Sequence, residues 1–319
     1  MAIQTNTFLV YSAKGVREDL TNEIVNISPE ETPFVSNIGR SKAKSTLHEW
    51  QTDALTSAAA NAKLEGEDYN SVGLDAVTAT ARIGNYVQIS AKTVIISGTQ
   101  DEVDKAGRKS ELAYQVAKKG KELKRDVEFI LLSNQGAVAG NSTTARKTGS
   151  ILAFIKSNVS LGAGGVSPVW TTVPTDVRTD GTPRAFTETL LKTVVQACYT
   201  SGAELKLLLV GAAQKQVAST FAGIAAQRYN TQGAKPSTII GAADIYVSDF
   251  GNLAIVPDRF MRAIDALLID PSRASMLQLR PFMTTPLAKT GDAEKRLLLT
   301  EWGLKVDHEA AHGLVTDLS

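Results

Sequence analysis

"TQDEVDKAGRKSELAYQVAKKGKELKRDVEFILLSNQ", residues 99–135, decides how the rest of the chain is read. The stretch reads as one helix, which at a rise of 1.5 Å per residue would be about 50 Å long. Mean helices run about three turns, so such a rod outruns a small domain. Thr99 followed by Glu102 makes a capping box, and Asp101, Glu102 and Asp104 sit where the macrodipole favours anions. Lys118, Lys119, Lys121, Lys124 and Arg125 load the later half, and Gly136 supplies a stop. Val103, Ala106, Ala113, Val116, Leu123, Val127 and Ile130 recur at steps of three, four or seven, one narrow apolar stripe on a charged surface. The pattern predicts a long amphipathic helix lying on a sheet. Gly107 and Gly120 interrupt the register that a coiled coil would need.

Before the helix, "STLHEWQTDAL" (45–55) and "VTATARIGNYVQISAKTVIIS" (77–97) alternate in polarity and read as strands. The segment between them, 56–76, has little apolar content and is far longer than a hairpin loop of two to five residues. A hairpin with an oversized, projecting polar tip is expected. Residues 1–40, with prolines at 29 and 33, read as an extended arm carrying a short helix near 17–26.

After the helix, "NQGAVAGNSTTARKTGS" (134–150) reads as a small, flexible junction. Thr182 and Pro183 open a helix that Gly202 closes, with Phe186, Leu190, Val194 and Cys198 four apart on its buried face. "LKLLLVGA" (205–212) is a buried strand followed by a helix through Val217 and Phe221. Residues 244–258 form a hairpin turning at Phe250–Asn252, and 265–270, 275–280 and 294–307 are further strands. The order gives an α+β chain of two interlocked subdomains.

Composition bounds the function. The chain has 319 residues, 43% hydrophobic and 21% charged, with a formal net charge of +1. That balance offers no electrostatic case for nucleic-acid or membrane binding. The single Cys198 excludes an internal disulfide and fits a reducing compartment. No signal peptide is evident, and the apolar run 207–213 is too short to span a bilayer, so a soluble, cytosol-made protein is expected.

One motif carries recognisable chemistry. "HEAAH", 308–312, matches the zinc-peptidase pattern of two histidines one helical turn apart with a glutamate as general base. Only "GLVTDLS" follows, without the glycine and third histidine of a metzincin. His308, Glu309 and His312 are therefore read as a false-positive zinc motif on a surface turn. No catalytic, metal-binding or cofactor-binding residue is expected, and the chain is read as not an enzyme. "GNSTTARKT" (140–148) has Asn141 and Arg146 where a P-loop needs glycines. Cys198, on an apolar helix face, reads as inert core.

The stretches "REDLTNEIVNISPEETPFVSNIGR" (17–40), "GNSTTARKTGSI" (140–151), "ALLIDPSRASMLQLRPF" (266–282) and "LLLTEWGLKVDHEAAHG" (297–313) follow one another along nearly the whole chain. In them the chain resembles the major capsid proteins of tailed phages, the major head protein family with the Hong Kong 97 fold. The resemblance implies an N-arm at 1–40, an E-loop hairpin at 41–98, a peripheral domain with a spine helix at 99–150, an axial domain at 151–285, and strands returning to the peripheral domain at 286–319. It implies a structural subunit that assembles with itself, as hexamers and pentamers, into an icosahedral or elongated virion shell around double-stranded DNA bound without sequence specificity. Portal, separate scaffold and decoration proteins are the implied partners, with assembly in the host bacterial cytoplasm and no membrane. Some relatives join subunits by a Lys–Asn bond promoted by Glu; Lys63 and Glu65 lie near the loop tip, but that crosslink is not carried over. The alternatives are a cellular nanocompartment shell of the same fold and, remotely, a zinc peptidase.

Overall fold

The computed structural model describes residues 28–66, 77–103, 107–221 and 244–319. The short helix expected near 17–26 lies outside them. A one-turn helix α1 (Pro33–Asn37) does form, with Pro33 opening it, where an extended arm was expected.

The 99–135 rod is not continuous. Its first turn, α2 (Gly98–Glu102), is capped by Ser97, whose hydroxyl accepts from Gln100 N–H, and not by Thr99. Val103 is already extended, and Gly107 adopts φ +77°, a left-handed conformation that glycine takes at little cost. The long helix α3 begins only at Glu111, capped by Ser110, and runs 22 residues to Leu132. That is about 33 Å, not 50. Val103 is exposed, so the stripe buries nothing at that position, and Asp101 instead turns its Oδ1 to accept from Glu111 N–H at the start of α3. Helix α3 ends at Ser133, before Gly136.

Helix α3 packs on a four-stranded sheet in the order β1-β10-β11-β4: β1 (Gly39–Lys42), β4 (Gln88–Ser97), β10 (Ala274–Pro286) and β11 (Ala293–Val306). Leu123 meets Val94 and Leu298, flanked by Leu112 and Val116. Strand β1 is parallel to β10, and the other pairings are antiparallel.

The strand expected over 77–97 is two strands in two sheets. Strand β3 (Ala81–Tyr86) pairs with β2 (Leu47–Thr52), whereas β4 pairs with β11. The switch falls at Val87, which is buried and donates its N–H to the Thr46 carbonyl. The hairpin therefore leaves the sheet at its root.

A six-stranded mixed sheet takes the order β5-β12-β9-β6-β8-β7: β5 (Val159–Ser160), β6 (Leu207–Val210), β7 (Ile245–Ser248), β8 (Gly251–Pro257), β9 (Ala266–Ile269) and β12 (Gly313–Val315). Helix α5 (Glu188–Thr200) covers it through Leu191, Val194, Val195 and Cys198. Thr187 caps α5, not Thr182, because the preceding segment is drawn into a bridge in which Arg184 N–H donates to the Asp317 carbonyl. Helix α6 (Ala212–Ala218) ends before Phe221, and a short helix α4 (Ile151–Phe154) is wholly buried between the sheets. The junction 134–150 is no loose linker either, since Thr148 and Ser150 are buried.

The chain does not change sheet at 285/286. It enters the four-stranded sheet at Ala274 and leaves after Val306, so its last strand, β12, belongs to the six-stranded sheet.

Gly313 opens β12 directly beneath α5: a Cβ there would overlap Val194 Cγ1 and lie 2.8 Å from Cys198 Sγ. Gly313→Ala should lower stability by about 1–3 kcal/mol, as overpacked core sites do, checked by the shift of the thermal or urea transition.

Candidate functional site

The "HEAAH" segment forms the crossing between the two sheets. Only a 3₁₀ turn, Glu309–Ala311, separates the two histidines, and His308 and His312 are both extended. The α-helical turn that would set both rings on one face is not formed. His308 lies against the end of α5, its Nε2 donating to the Ser201 carbonyl at 3.2 Å. Glu309 Oε2 accepts from Lys156 N–H (3.1 Å) and Ser157 N–H (3.3 Å), and its Oε1 accepts from the Ser157 hydroxyl. The carboxylate thereby holds the end of the α4 segment. His312 is not on a surface turn: it is 0% exposed, and its Nδ1 accepts from Asp270 N–H at 3.4 Å. Burial pushes its pKa down to about 4. The three side chains engage three separate stretches.

The projecting hairpin is the second feature. Its root is anchored: the Trp50 ring lies 6.2 Å from Phe154, which meets Trp170 edge-on at 5.8 Å, and Lys156 Nζ sits 4.0 Å over Trp170. Gly84 N–H donates to the Thr172 carbonyl. Residues 53–66 form no strand, and Leu55 is 100% and Leu64 80% exposed. Lys63 and Glu65 are exposed on the same arm. A second projection, the β10–β11 hairpin, exposes Phe282, Met283 and Leu287. Leu55 and Leu64 are nearly free of cover from the described residues, whereas Phe282, Met283 and Leu287 are partly covered.

Sequence reasoning missed the groups that fasten these parts together. Asn85 is buried and donates to Thr148 Oγ1 (3.0 Å), the Gly149 carbonyl (3.1 Å) and the Leu304 carbonyl (2.7 Å), while its Oδ1 accepts from Gly149 N–H (2.8 Å). Glu128 on α3 receives both Phe34 N–H and Val35 N–H, tying down α1. A sequence signal for Glu128 existed: it lies four residues before Leu132, on the helix's buried side, where an ionisable group needs a partner. Asn85 gives none, because its partners are distant in sequence.

With this geometry in hand, comparison with known proteins is decisive. The family model of the SU10 major capsid protein matches residues 3–319. The chain belongs to that family. The capsid protein is 30% identical over 349 residues to the major capsid protein of Escherichia phage Phieco32, covering 97% of this chain and 96% of the relative. Among solved structures, the cyanophage A-1(L) capsid asymmetric unit superposes with a TM-score of 0.68 at 12% identity, over 95% of this chain and 97% of that one. The holo-SrpI encapsulin complex of Synechococcus elongatus follows at 0.56 and 10% identity, over 100% and 97%. These two likenesses show the fold, the Hong Kong 97 type. The full-length relative and the family separate a tailed-phage major capsid protein from a nanocompartment shell, and the family's role is structural. Among the described residues no helix is long and apolar enough to cross a membrane.

His312, buried in its neutral form, should destabilise the capsid protein in acid. Its folded pKa lies below the ordinary histidine value of 6.5, so the unfolded chain binds the extra proton, and the histidine's stabilising share is lost as pH falls from about 6.5 to 4. Acid titrations of folding should show a shallower slope in that window for His312→Gln, and elemental analysis should find no less metal in His308→Ala or His312→Ala than in the parent chain.

Proposed function

We propose that the capsid protein builds the head shell as hexamers and pentamers, icosahedral or elongated, around double-stranded DNA. The observation that carries this reading is the pair of exposed leucines on an arm rooted by a packed aromatic cluster. A rigid base under an arm that exposes two leucines suits a lattice in which neighbouring copies supply the missing surface. In this reading residues up to about 38 are the N-arm and 47–86 the E-loop. Helix α3 is the spine of a peripheral domain built on the four-stranded sheet, and the six-stranded sheet with α5 is the axial domain. The crossings at 270–274 and 306–313 replace the boundary expected at 285/286.

A portal, a separate scaffold and decoration proteins complete the proposed assembly, which takes place in the host bacterial cytoplasm. No catalytic, metal or cofactor role is proposed. Glu309 is committed to Lys156 and Ser157, so it is poorly placed to act as a general base.

Electron microscopy of the purified chain tests the proposal, with curved lattices or closed particles as the expected outcome. Leu55→Asp combined with Leu64→Asp should leave the thermal transition of the subunit within about 0.5 kcal/mol, as exposed substitutions do, while abolishing closed particles. A collapse of the folding transition in that variant would show that the arm serves the subunit's own core.

The balance of 34 Lys and Arg against 33 Asp and Glu argues for a near-neutral inner surface. Unassembled subunits should bind labelled duplex DNA no tighter than the roughly 10⁻⁴–10⁻⁶ M of non-specific binding at physiological salt, measured by titration at two salt concentrations.

A further inference from the structure

We propose that residues 16–27 dock as an amphipathic helix in a groove of their own subunit, between α1, α3 and β10. The groove has a volume of about 280 Å³. Val35 of α1, Val127 of α3 and Met276 of β10 form its base, and all three are buried. Phe282 of β10 lines it while 46% exposed, so its apolar interior opens to solvent. Arg40 of β1 and Lys124 of α3 stand exposed along it.

Gly120 marks the same side of α3. It sits in the middle of a 22-residue helix, where glycine costs stability relative to alanine because the unfolded chain is freer. Nothing among the described residues requires it there. Beyond its own helix, a Cβ at 120 would meet only Leu298 Cδ2 within 4 Å, at an ordinary contact distance of 3.9 Å. A second backbone laid against α3 at this point does require it, because a side chain at 120 would take up room in the groove.

The chain brings such a segment to the spot. Glu30 pairs with Lys121, beside Gly120, at 2.7 Å, and two turns further along α3 Glu128 receives Phe34 N–H and Val35 N–H. The chain therefore joins the body along α3 from the Lys121 end. Ile27 precedes Glu30 by three residues, at most about 10 Å of chain, so the groove of the same copy is within reach. Residues 16–27 lie outside the described residues, and their sequence matches the groove. Val16, Leu20, Ile24 and Ile27 recur at steps of four, four and three, one helical stripe, with Asp19 and Glu23 beside it. The stripe suits the base of Val35, Val127 and Met276, and the two carboxylates suit Arg40 and Lys124. The contact lies within one chain, so it stands or falls separately from the shell proposed above. In that shell, a segment parked on its own copy is withheld from neighbours until a competing surface takes its place.

Hydrogen exchange read by mass spectrometry on the unassembled full chain tests the docking. Amides of 17–27 should exchange at least about ten-fold slower than their intrinsic rates, by a factor unchanged over about a hundred-fold dilution of the chain. Gly120→Met fills the groove with a side chain that favours the helix, and Phe282→Asp places a charge beside its apolar base. Each should abolish the protection of 17–27 while the chain keeps a cooperative thermal transition. Fast exchange of 17–27 in the parent chain, or protection retained in either variant that folds, would overturn the proposal. Protection that fades on dilution would assign the groove to a second copy's segment and overturn docking within one chain. Should Gly120→Met not fold, Phe282→Asp, at a half-exposed side chain, still decides.

Discussion

Strand β11 is the constraint on which the rest of the structure depends. It pairs with β10 along one edge and with β4 along the other, so a strand near the chain's end sits inside the sheet that carries α3. Trp302, fully buried on β11, donates Nε1–H to Ser90 Oγ on β4, and Leu304 offers its carbonyl to Asn85. Glu301 takes Arg146 on one oxygen and Arg280 on the other. Buried polar groups of this kind stabilise only when every partner is in place. They therefore hold the hairpin root, the 146–149 loop and β10 in one arrangement.

That arrangement explains why the two sheets are welded. The chain leaves β11, turns through His308–His312 and enters β12 in the other sheet, with Glu309 and Asn158 binding the turn to the segment after α4. A motif with the letters of a metal site is thus a hinge between layers. Its glutamate serves as an acceptor for backbone N–H groups, and its second histidine fills a buried site where the neutral ring is favoured.

The features that project are those the welded body can support but cannot bury. A fully exposed leucine on a strandless arm would be an aggregation hazard in a monomer; in a shell subunit it is surface awaiting a neighbour. Glu128 works the other way, since its carboxyl receives the Phe34 and Val35 N–H groups and so binds α1 to α3.

What the sequence by itself determined are the elements whose signal is local. The stripe through Leu123 and Val127 predicts a helix on a sheet, the run 207–210 a buried strand, and the alternation in 45–55 a strand, while the tip expected within 56–76 falls outside the described residues at 67–76. The resemblance in four ordered blocks implied the capsid fold that the family confirms. Tertiary structure alone decided the break between Val103 and Ser110, the switch of sheets at Val87, the burial of His312 and the meeting of Glu128 with the Phe34 and Val35 N–H groups. The physical reason is common to all four. Local periodicity records which face of an element is apolar, but whether that face finds a partner, and whether a buried polar group finds a donor, depends on residues brought in from far along the chain.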